Sequence, residues 1–333
     1  MKVFVTGGGG FLGSAIVQQL VGEGYEVVTY SRGKHNALEK HGIIHHNGNL
    51  SDFASLKTAM QDCEAVFHTA AKVGMWGSFA SFYETNVTGT ENVLRACLEV
   101  GIPHLVYTSS ASVIYQGRSE GKDERLSYPK KFDAYYPRTK ALAESAVLKA
   151  NGSCLVTCSL RPHLVWGPGD PYLLPQLFDR RRKGLLRLIG NEEYLVDTIY
   201  VDNAARAHLQ VLKMMQLNPT AVAGKAYFLS QDEPIAIRMF INRLLHTGGL
   251  PPVNKTINPK VALVAGWLFQ NIFNSFKVQS KPPLTVFLAK QLSTSHWYDI
   301  SAAKRDFGYA PGISIDEGMK RLKMWVEANT PLY

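Results

Sequence analysis

Residues 2–20 read KVFVTGGGGFLGSAIVQQL, and the reading of this stretch decides the fold. Lys2–Thr6 is a short β-branched run. Four consecutive glycines follow, Gly7 to Gly10. Ile16, Val17, Leu20 and Val21 then recur at helical spacing, and the run ends at glycines that suit a C-cap. A strand, a tight turn and a helix are therefore expected. The spacing Gly7-x-x-Gly10-x-x-Gly13 puts backbone N–H groups at a helix start, where they can hold an anion. A Cβ at Gly7 or Gly10 would obstruct the turn or a pyrophosphate, and Gly13 allows close helix–strand packing. Taken alone, a plain Gly-rich turn explains these residues as well. No Gly-Lys-Ser/Thr follows, so this is not a Walker loop.

Working outward, apolar strands alternate with helices. Tyr25–Ser31, a short run within GIIHHNGNL, Ala65–Ala71, His104–Ser110 and Leu155–Pro162 read as further strands. YETNVTGTENVLRACLEVG and RTKALAESAVLKANG read as helices. This rhythm predicts an α/β fold, a Rossmann-type doubly wound parallel sheet covered on both faces, with ligands in the crevice at the carboxyl ends of the strands. After Pro162 the rhythm breaks at the Gly/Pro cluster WGPGDPY. A smaller, discontinuous substrate-binding lobe is expected there. The division is 1–165 for the dinucleotide-binding domain, with 200–222 packing back on it, and 166–199 plus 223–333 for the lobe.

The chain has 333 residues, 46% hydrophobic and 19% charged, with a formal net charge of +9. These are the proportions of a soluble globular protein. The cations are scattered apart from Arg180-Arg181-Arg182-Lys183, and no basic stripe with interleaved aromatics appears, so no nucleic-acid partner is expected. Cys63, Cys97, Cys154 and Cys158 form no CxxC pair. Cys154 and Cys158 fall in one strand-like stretch, so buried reduced thiols are expected, without metal or disulfide. The first apolar run already belongs to the fold, and no apolar stretch reaches the length that spans a bilayer. A cytoplasmic location is expected.

The end of the second strand, VVTYSRGK, has no carboxylate between Glu26 and Glu39. An acid there selects NAD, whereas an Arg accommodates the 2′-phosphate of NADP. Ser31 and Arg32 stand at the strand end with Lys34 nearby, so NADPH/NADP⁺ is expected rather than NAD. Tyr136 and Lys140 are four apart, on one helix face, near a helix start because Pro137 is tolerated only in the first turn. Tyr-x-x-x-Lys suits proton transfer, and an ordinary helix surface would show it too. Ser109 and Ser110 end the fifth strand and could donate to a substrate carbonyl.

Together these motifs resemble the extended short-chain dehydrogenase/reductases. The matching residues are TGxxGxxG, Ala70-Ala71, Asn86-Val87-x-Gly89-Thr90 and Ser109-Ser110. Tyr136-x-x-x-Lys140, Arg161–Asp170 (RPHLVWGPGD) and Tyr200–His208 (YVDNAARAH) complete the set. The resemblance implies an NAD(P)-dependent enzyme acting on a CH–OH group. Tyr136 is implied as acid/base, and Lys140 as the residue that lowers its pKa and holds the nicotinamide ribose. Ser110 is implied as the group that polarises the carbonyl, with Ser109 its rival. Asn49 stands where the family has an Asp toward the adenine amino group. Phe11, Leu12, Ser31, Arg32, Leu50, Ala70, Ala71, Lys72 and Pro162 are implied to complete the dinucleotide site with Gly7, Gly10, Gly13, Tyr136 and Lys140.

The dehydratases of this family carry an acid pair where this chain has Thr108-Ser109-Ser110, which disfavours dehydration. Met75 and Trp76, with Phe79, offer an apolar wall for a hydrocarbon substrate. Val261–Phe276 reads first as an amphipathic core helix, with an acyl tunnel or a membrane surface as further uses. AKVGMWG and LTVFLAKQLSTSHWYDIS resemble the 3β-hydroxysteroid dehydrogenase-like branch, and within it the bacterial 2-alkyl-3-oxoalkanoate reductases of long-chain olefin biosynthesis. The implied activity is reversible, NADPH-dependent reduction of a long-chain 2-alkyl-3-oxo acid to the 3-hydroxy acid. A 3β-hydroxysteroid dehydrogenase-type oxidoreductase, a sugar-nucleotide epimerase and a non-catalytic dinucleotide module are the alternatives. Other enzymes of the olefin pathway, a homodimer and a peripheral membrane contact are the partners left open.

Overall fold

A computed structural model describes residues 1–33, 35, 42–276, 278 and 280–329. Its centre is a seven-stranded parallel sheet: β1 (Lys2–Thr6), β2 (Glu26–Ser31), β3 (Ile44–Asn47), β4 (Ala65–His68), β5 (His104–Thr108), β6 (Val156–Pro162) and β7 (Lys225–Leu229). The order across the sheet is β7-β6-β5-β4-β1-β2-β3. The order in which strands are added therefore reverses beside β1, with Val3 opposite Val27 on one side and Ala65 on the other. That is the place where an open parallel sheet receives a ligand.

Alternation along β1 shows why the sheet is covered twice. Val3 and Val5 join a core with Ile16, Val17 and Leu20 of α1 (Phe11–Gly22), whereas Phe4 joins a second core with Val28, Val66 and Leu105. Successive side chains of a strand point to opposite faces. The second core is closed by α2 (Phe53–Ala59), α3 (Gly89–Val100) and α4 (Tyr135–Lys149). The helix expected over YETNVTGTENVLRACLEVG is a longer helical run. It opens with a turn at Phe79–Tyr83, widens into a π turn at Glu84–Thr88, and continues as α3.

Beyond Pro162 come α5 (Leu173–Arg182) and α6 (Val201–Leu217). Helix α6 lies against α1, where Gln19 Nε2 donates to the Asp202 carbonyl at 2.9 Å. The expected domain boundaries need two corrections. Residues 225–229 pair with β6 as the seventh strand, although the sequence rhythm placed them in the lobe. Ser119–Lys122, from the first half, pairs with His296–Tyr298 in a separate four-stranded sheet that also holds Leu195–Val196 and Ile235–Ala236. Both strands are short, and strand pairing across more than 60 residues leaves no local signal. Cys154 is also corrected: β6 begins at Val156, which leaves Cys154 exposed, while Cys63, Cys97 and Cys158 are buried and free.

Candidate active site

The glycine loop closes over the ends of β1 and β4. Gly7 has φ +70°, and a Cβ there would stand 2.9 Å from Ala70 Cα. A Cβ on Gly13 would stand 2.1 Å from the Gly7 carbonyl oxygen, so any side chain would push the loop off α1. At Gly10 the nearest protein atom would be 3.1 Å away, so the protein itself excludes little there. Gly10 caps α1 without a side-chain hydrogen bond, and no acid sits in the first turn. Phe11 and Leu12 begin that turn. The helix dipole therefore faces a position built for negative charge.

At the tip of β2, Ser31 Oγ is buried without a hydrogen-bond partner among the described residues, and Arg32 is exposed beside it. Lys34 lies outside the described residues. The His35 ring covers Gly9, and its edge meets His45, which is tied to Thr29 Oγ1 at 2.9 Å and to the Gly33 carbonyl at 2.8 Å. Asn49 is exposed, with Oδ1 accepting from Ser51 N–H, and Leu50 is buried with its carbonyl held by Asn92 Nδ2 at 2.7 Å. An uncapped helix start, a loop that tolerates no side chain at Gly7 or Gly13, and an unpartnered buried hydroxyl fit a dinucleotide. Its pyrophosphate would lie at Gly7–Gly13 and its adenosine at Ser31, Arg32, Asn49 and Leu50.

A chain of buried hydrogen bonds joins this loop to α4. The Ala70 N–H donates to Thr6 Oγ1 at 3.2 Å, and Thr6 Oγ1 lies 2.7 Å from His68 Nδ1. His68 Nε2 reaches Thr90 Oγ1 at 2.9 Å, and Thr90 donates to the Asn86 carbonyl at 2.7 Å. Burial pushes His68 down to about 3, so its ring is neutral. The directions are consistent with a proton on Nε2. Asn86 then grips the backbone of Lys72 with both side-chain atoms, at 2.7 and 3.1 Å, and donates to Thr139 Oγ1 at 3.0 Å. Thr139 bonds the carbonyls of Tyr135 and Tyr136. The π turn that carries Asn86 is what aims it inward. Lys72 Nζ bonds Ser81 Oγ at 2.7 Å, and Ala71 is half-buried beside it.

Pro137 falls in the first turn of α4 as expected, with Tyr136 before it. The two candidate serines separate clearly. Ser109 is buried, and its N–H donates to the Leu160 carbonyl at 2.7 Å within the sheet. Ser110 caps the turn Ala111–Ile114, lies 2.8 Å from Ser112 Oγ, and is near enough to the Tyr136 hydroxyl to pull its pKa down. Ser110 is thus the serine brought to Tyr136.

The electrostatics differ from the expectation that Lys140 lowers Tyr136. Burial pushes the Tyr136 phenol up to about 12, with Ser110 pulling it partly back. Burial also pushes the Lys140 ammonium down to about 7, with Glu144 opposing. Lys140 Nζ donates to the Thr108 carbonyl at 2.6 Å and lies 4.1 Å over the Tyr107 ring. Desolvation is the largest influence on both groups. One turn further along α4, Glu144 accepts from Tyr128, Ser159 and Arg161, with the Arg161 contact at 2.7 Å. Burial would raise the Glu144 carboxyl, but Arg161 and these bonds hold it below its usual value. The pair pins α4 to β6, which ends at buried Pro162 opposite Leu229.

Met75 and Trp76 are half-buried in the loop after β4. The Trp76 ring meets Phe273 edge-on at 6.1 Å, whereas Phe79 turns to Tyr135 and Arg138. The expected wall therefore divides, with Trp76 facing the later segment. His68, Ser112 and Glu144 had no role in the sequence reading, and Asn86 had none beyond its motif. Glu144 could have been found four residues after Lys140 on the same helix face. His68 and Ser112 could not, because only the fold sets their partners. Among the described residues no group of three or more His, Cys, Asp or Glu side chains is placed to hold a metal.

Over residues 4–259 the sequence matches the 3-beta hydroxysteroid dehydrogenase/isomerase family. It is 46% identical over 329 residues to a 2-alkyl-3-oxoalkanoate reductase of Shewanella oneidensis, covering 96% of this chain and 85% of that protein. It is 45% identical over 327 residues to a protein of the same name from Stenotrophomonas maltophilia, covering 97% and 98%. The structure superposes on a UDP-glucose 4-epimerase from Thermotoga maritima with a TM-score of 0.77 and 21% identity, covering 99% of this chain and all of that one. At that identity the match shows a shared fold.

Proposed function

The chain belongs to the 3-beta hydroxysteroid dehydrogenase/isomerase family, within the extended short-chain dehydrogenase/reductases, and on that premise we propose that it reduces the 3-keto group of a long-chain 2-alkyl-3-oxo acid with NADPH. It is an oxidoreductase that uses a nicotinamide dinucleotide on a CH–OH group. The observation that carries the proposal is the meeting of Tyr136 with Ser110, beside a Lys140 fixed to Thr108, at the sheet edge.

When bound, the dinucleotide supplies the hydride that goes to the ketone carbon. Ser110 donates a hydrogen bond to the ketone oxygen and orients it. Tyr136 gives that oxygen its proton, and because burial keeps the phenol protonated at neutral pH it is poised as an acid. Lys140 holds the nicotinamide ribose and takes up part of the phenolate charge as the proton leaves. The N-terminus of α1 would hold the pyrophosphate, Pro162 would line the nicotinamide end, and Ser31 with Arg32 would recognise the 2′-phosphate. Residues outside the main sheet after Pro162 form the substrate lobe, with Met75 and Trp76 on the apolar side of the crevice. Thr108-Ser109-Ser110 offers no acid pair, which speaks against dehydration of a sugar nucleotide. The product chemistry belongs to olefin biosynthesis, where other enzymes of that route make the keto acid and consume the alcohol.

The test is dinucleotide oxidation with a synthetic 2-alkyl-3-oxo acid, alongside the reverse reaction on the 3-hydroxy acid. Turnover with NADPH preferred over NADH supports the reading. Turnover of a 3β-hydroxysteroid but not of the hydroxy acid would keep the mechanism and replace the substrate.

A further inference from the structure

Helix α7 (Pro259–Ser275) presents an apolar face that nothing among the described residues covers. Of its 17 residues only Ala262 and Gly266 are buried. They seat it on the segment that leads into α8 (Val286–Gln291): a Cβ on Gly266 would lie 2.9 Å from the Thr285 carbonyl carbon, and Gln270 Oε1 accepts from Val286 N–H at 3.0 Å. The other side carries Val261, Val264, Leu268 and Ile272 at helical spacing, with Trp267 beside them and Phe276 just past the end. All six are between 46% and 77% exposed. The sequence pattern led us to expect mainly a core helix here, and the structure turns most of the apolar side outward.

The segment that carries this face has formal charge of one sign. Residues 234–298 contain seven Lys and Arg and no Asp or Glu. Arg243 and Lys290 are paired with Asp316 and Asp133 from outside that span. Lys255 and Lys260 before the stripe, and Lys281 after it, form no ion pair among the described residues. Arg180 donates to the Pro283 carbonyl at 2.7 Å, and Arg181 to those of Pro251 and Pro252 at 2.8 and 3.2 Å. Arg180 and Arg181 are therefore fastened to the segments on either side of α7, and bonds to carbonyls leave their charge uncompensated, whereas Lys183 pairs with Asp179 at 2.8 Å.

We infer that α7 docks on a lipid surface bearing anionic headgroups. The stripe enters the boundary between headgroups and acyl chains, and the flanking cations meet the phosphates. A second copy of this chain would bring the same sign of charge to the face, which opposes self-association there. The inner side of α7 touches Trp76 through Phe273, so a docked helix places the apolar loop after β4 next to the acyl layer. That last consequence rests on the long-chain substrate proposed above. The docking itself does not.

The test is sedimentation of the full chain with vesicles of phosphatidylcholine alone and with about one third phosphatidylglycerol, at low and high salt. The expected result is binding to the anionic vesicles only, weakened at least about tenfold by high salt and by Val264→Glu/Leu268→Glu. That variant should keep wild-type turnover on a short-chain soluble keto acid, which shows it folded. A second variant, Lys260→Glu/Lys281→Glu, should lose the preference for anionic lipid. Equal sedimentation of wild type and Val264→Glu/Leu268→Glu would overturn the inference. So would absence of vesicle binding by an oligomer that this variant converts to monomers, since the face would then be covered by protein. Failure of the substrate assay with vesicle binding intact would remove the proposed activity and leave the docking standing.

Discussion

The crevice at the sheet edge and the region around α7 are built in opposite ways. At the edge a run of buried polar side chains is joined by hydrogen bonds. Thr6, His68, Thr90, Asn86 and Thr139 run without a break from the glycine loop to Tyr136. Around α7 the apolar residues face outward, and Lys255, Lys260 and Lys281 form no ion pair among the described residues. The difference teaches where each property resides. Chemistry needs a fixed arrangement, so it is held by short, satisfied bonds. Contact with a surface needs only a pattern of exposure and sign.

The strongest way to break that contrast is Tyr136→Phe. It is expected to lower kcat by about 10²–10⁴-fold with dinucleotide affinity unchanged, measured by steady-state turnover and fluorescence titration. Full turnover would mean that the proton comes from elsewhere. Ser110→Ala should lower kcat by about 10²-fold, whereas Ser109→Ala should change it little, because Ser109 is buried and acts on Glu144 rather than on Tyr136. A reversal of that order would exchange their roles. Arg161→Met leaves Glu144 buried without its counter-charge and should cost about 3–5 kcal/mol in urea unfolding. A loss below about 1 kcal/mol would show that the pair does not hold α4 to β6. Arg32→Ala should cut kcat/KM for NADPH by about 10–100-fold and leave NADH unaffected.

The smallest effect concerns Lys140. Its ammonium is depressed to about 7 from the usual 10.5. Between those values the unfolded chain binds a proton that the folded chain does not, so this residue makes stability rise with pH across the window. Below pH 7 the full cost of the buried charge is present. Lys140→Met should therefore raise Tm relative to wild type by a few degrees at pH 6 and by less at pH 10. An equal difference at both pH values would show that Lys140 titrates normally.

Much of the sheet edge was legible in the sequence because its signals are local. A strand, a glycine spacing and a Tyr four residues before a Lys can be read in windows of a dozen residues. The same reading missed β7, since Lys225–Leu229 stands far along the chain from its partner β6. It could not choose between Ser109 and Ser110, because a strand end permits either, and only the fold shows that Ser110 caps the turn after β5. Lys140 was expected to lower the pKa of Tyr136, but how deeply each is buried is not written in their spacing. Helix α7 was hardest. The period of its apolar residues is the same whether the stripe faces a core or the outside, and only Gly266 against Thr285 reveals which side is packed.

The most direct measurement is the initial rate of NADPH and NADH oxidation by purified protein with a 2-alkyl-3-oxo acid of two long chains. The reverse reaction with NADP⁺ and the hydroxy acid should be run beside it, because the keto acid decarboxylates readily. The expected result is turnover in both directions with a clear preference for the phosphorylated dinucleotide. Protein that carries bound NAD as purified, ignores both acids and epimerises a UDP-sugar would contradict it.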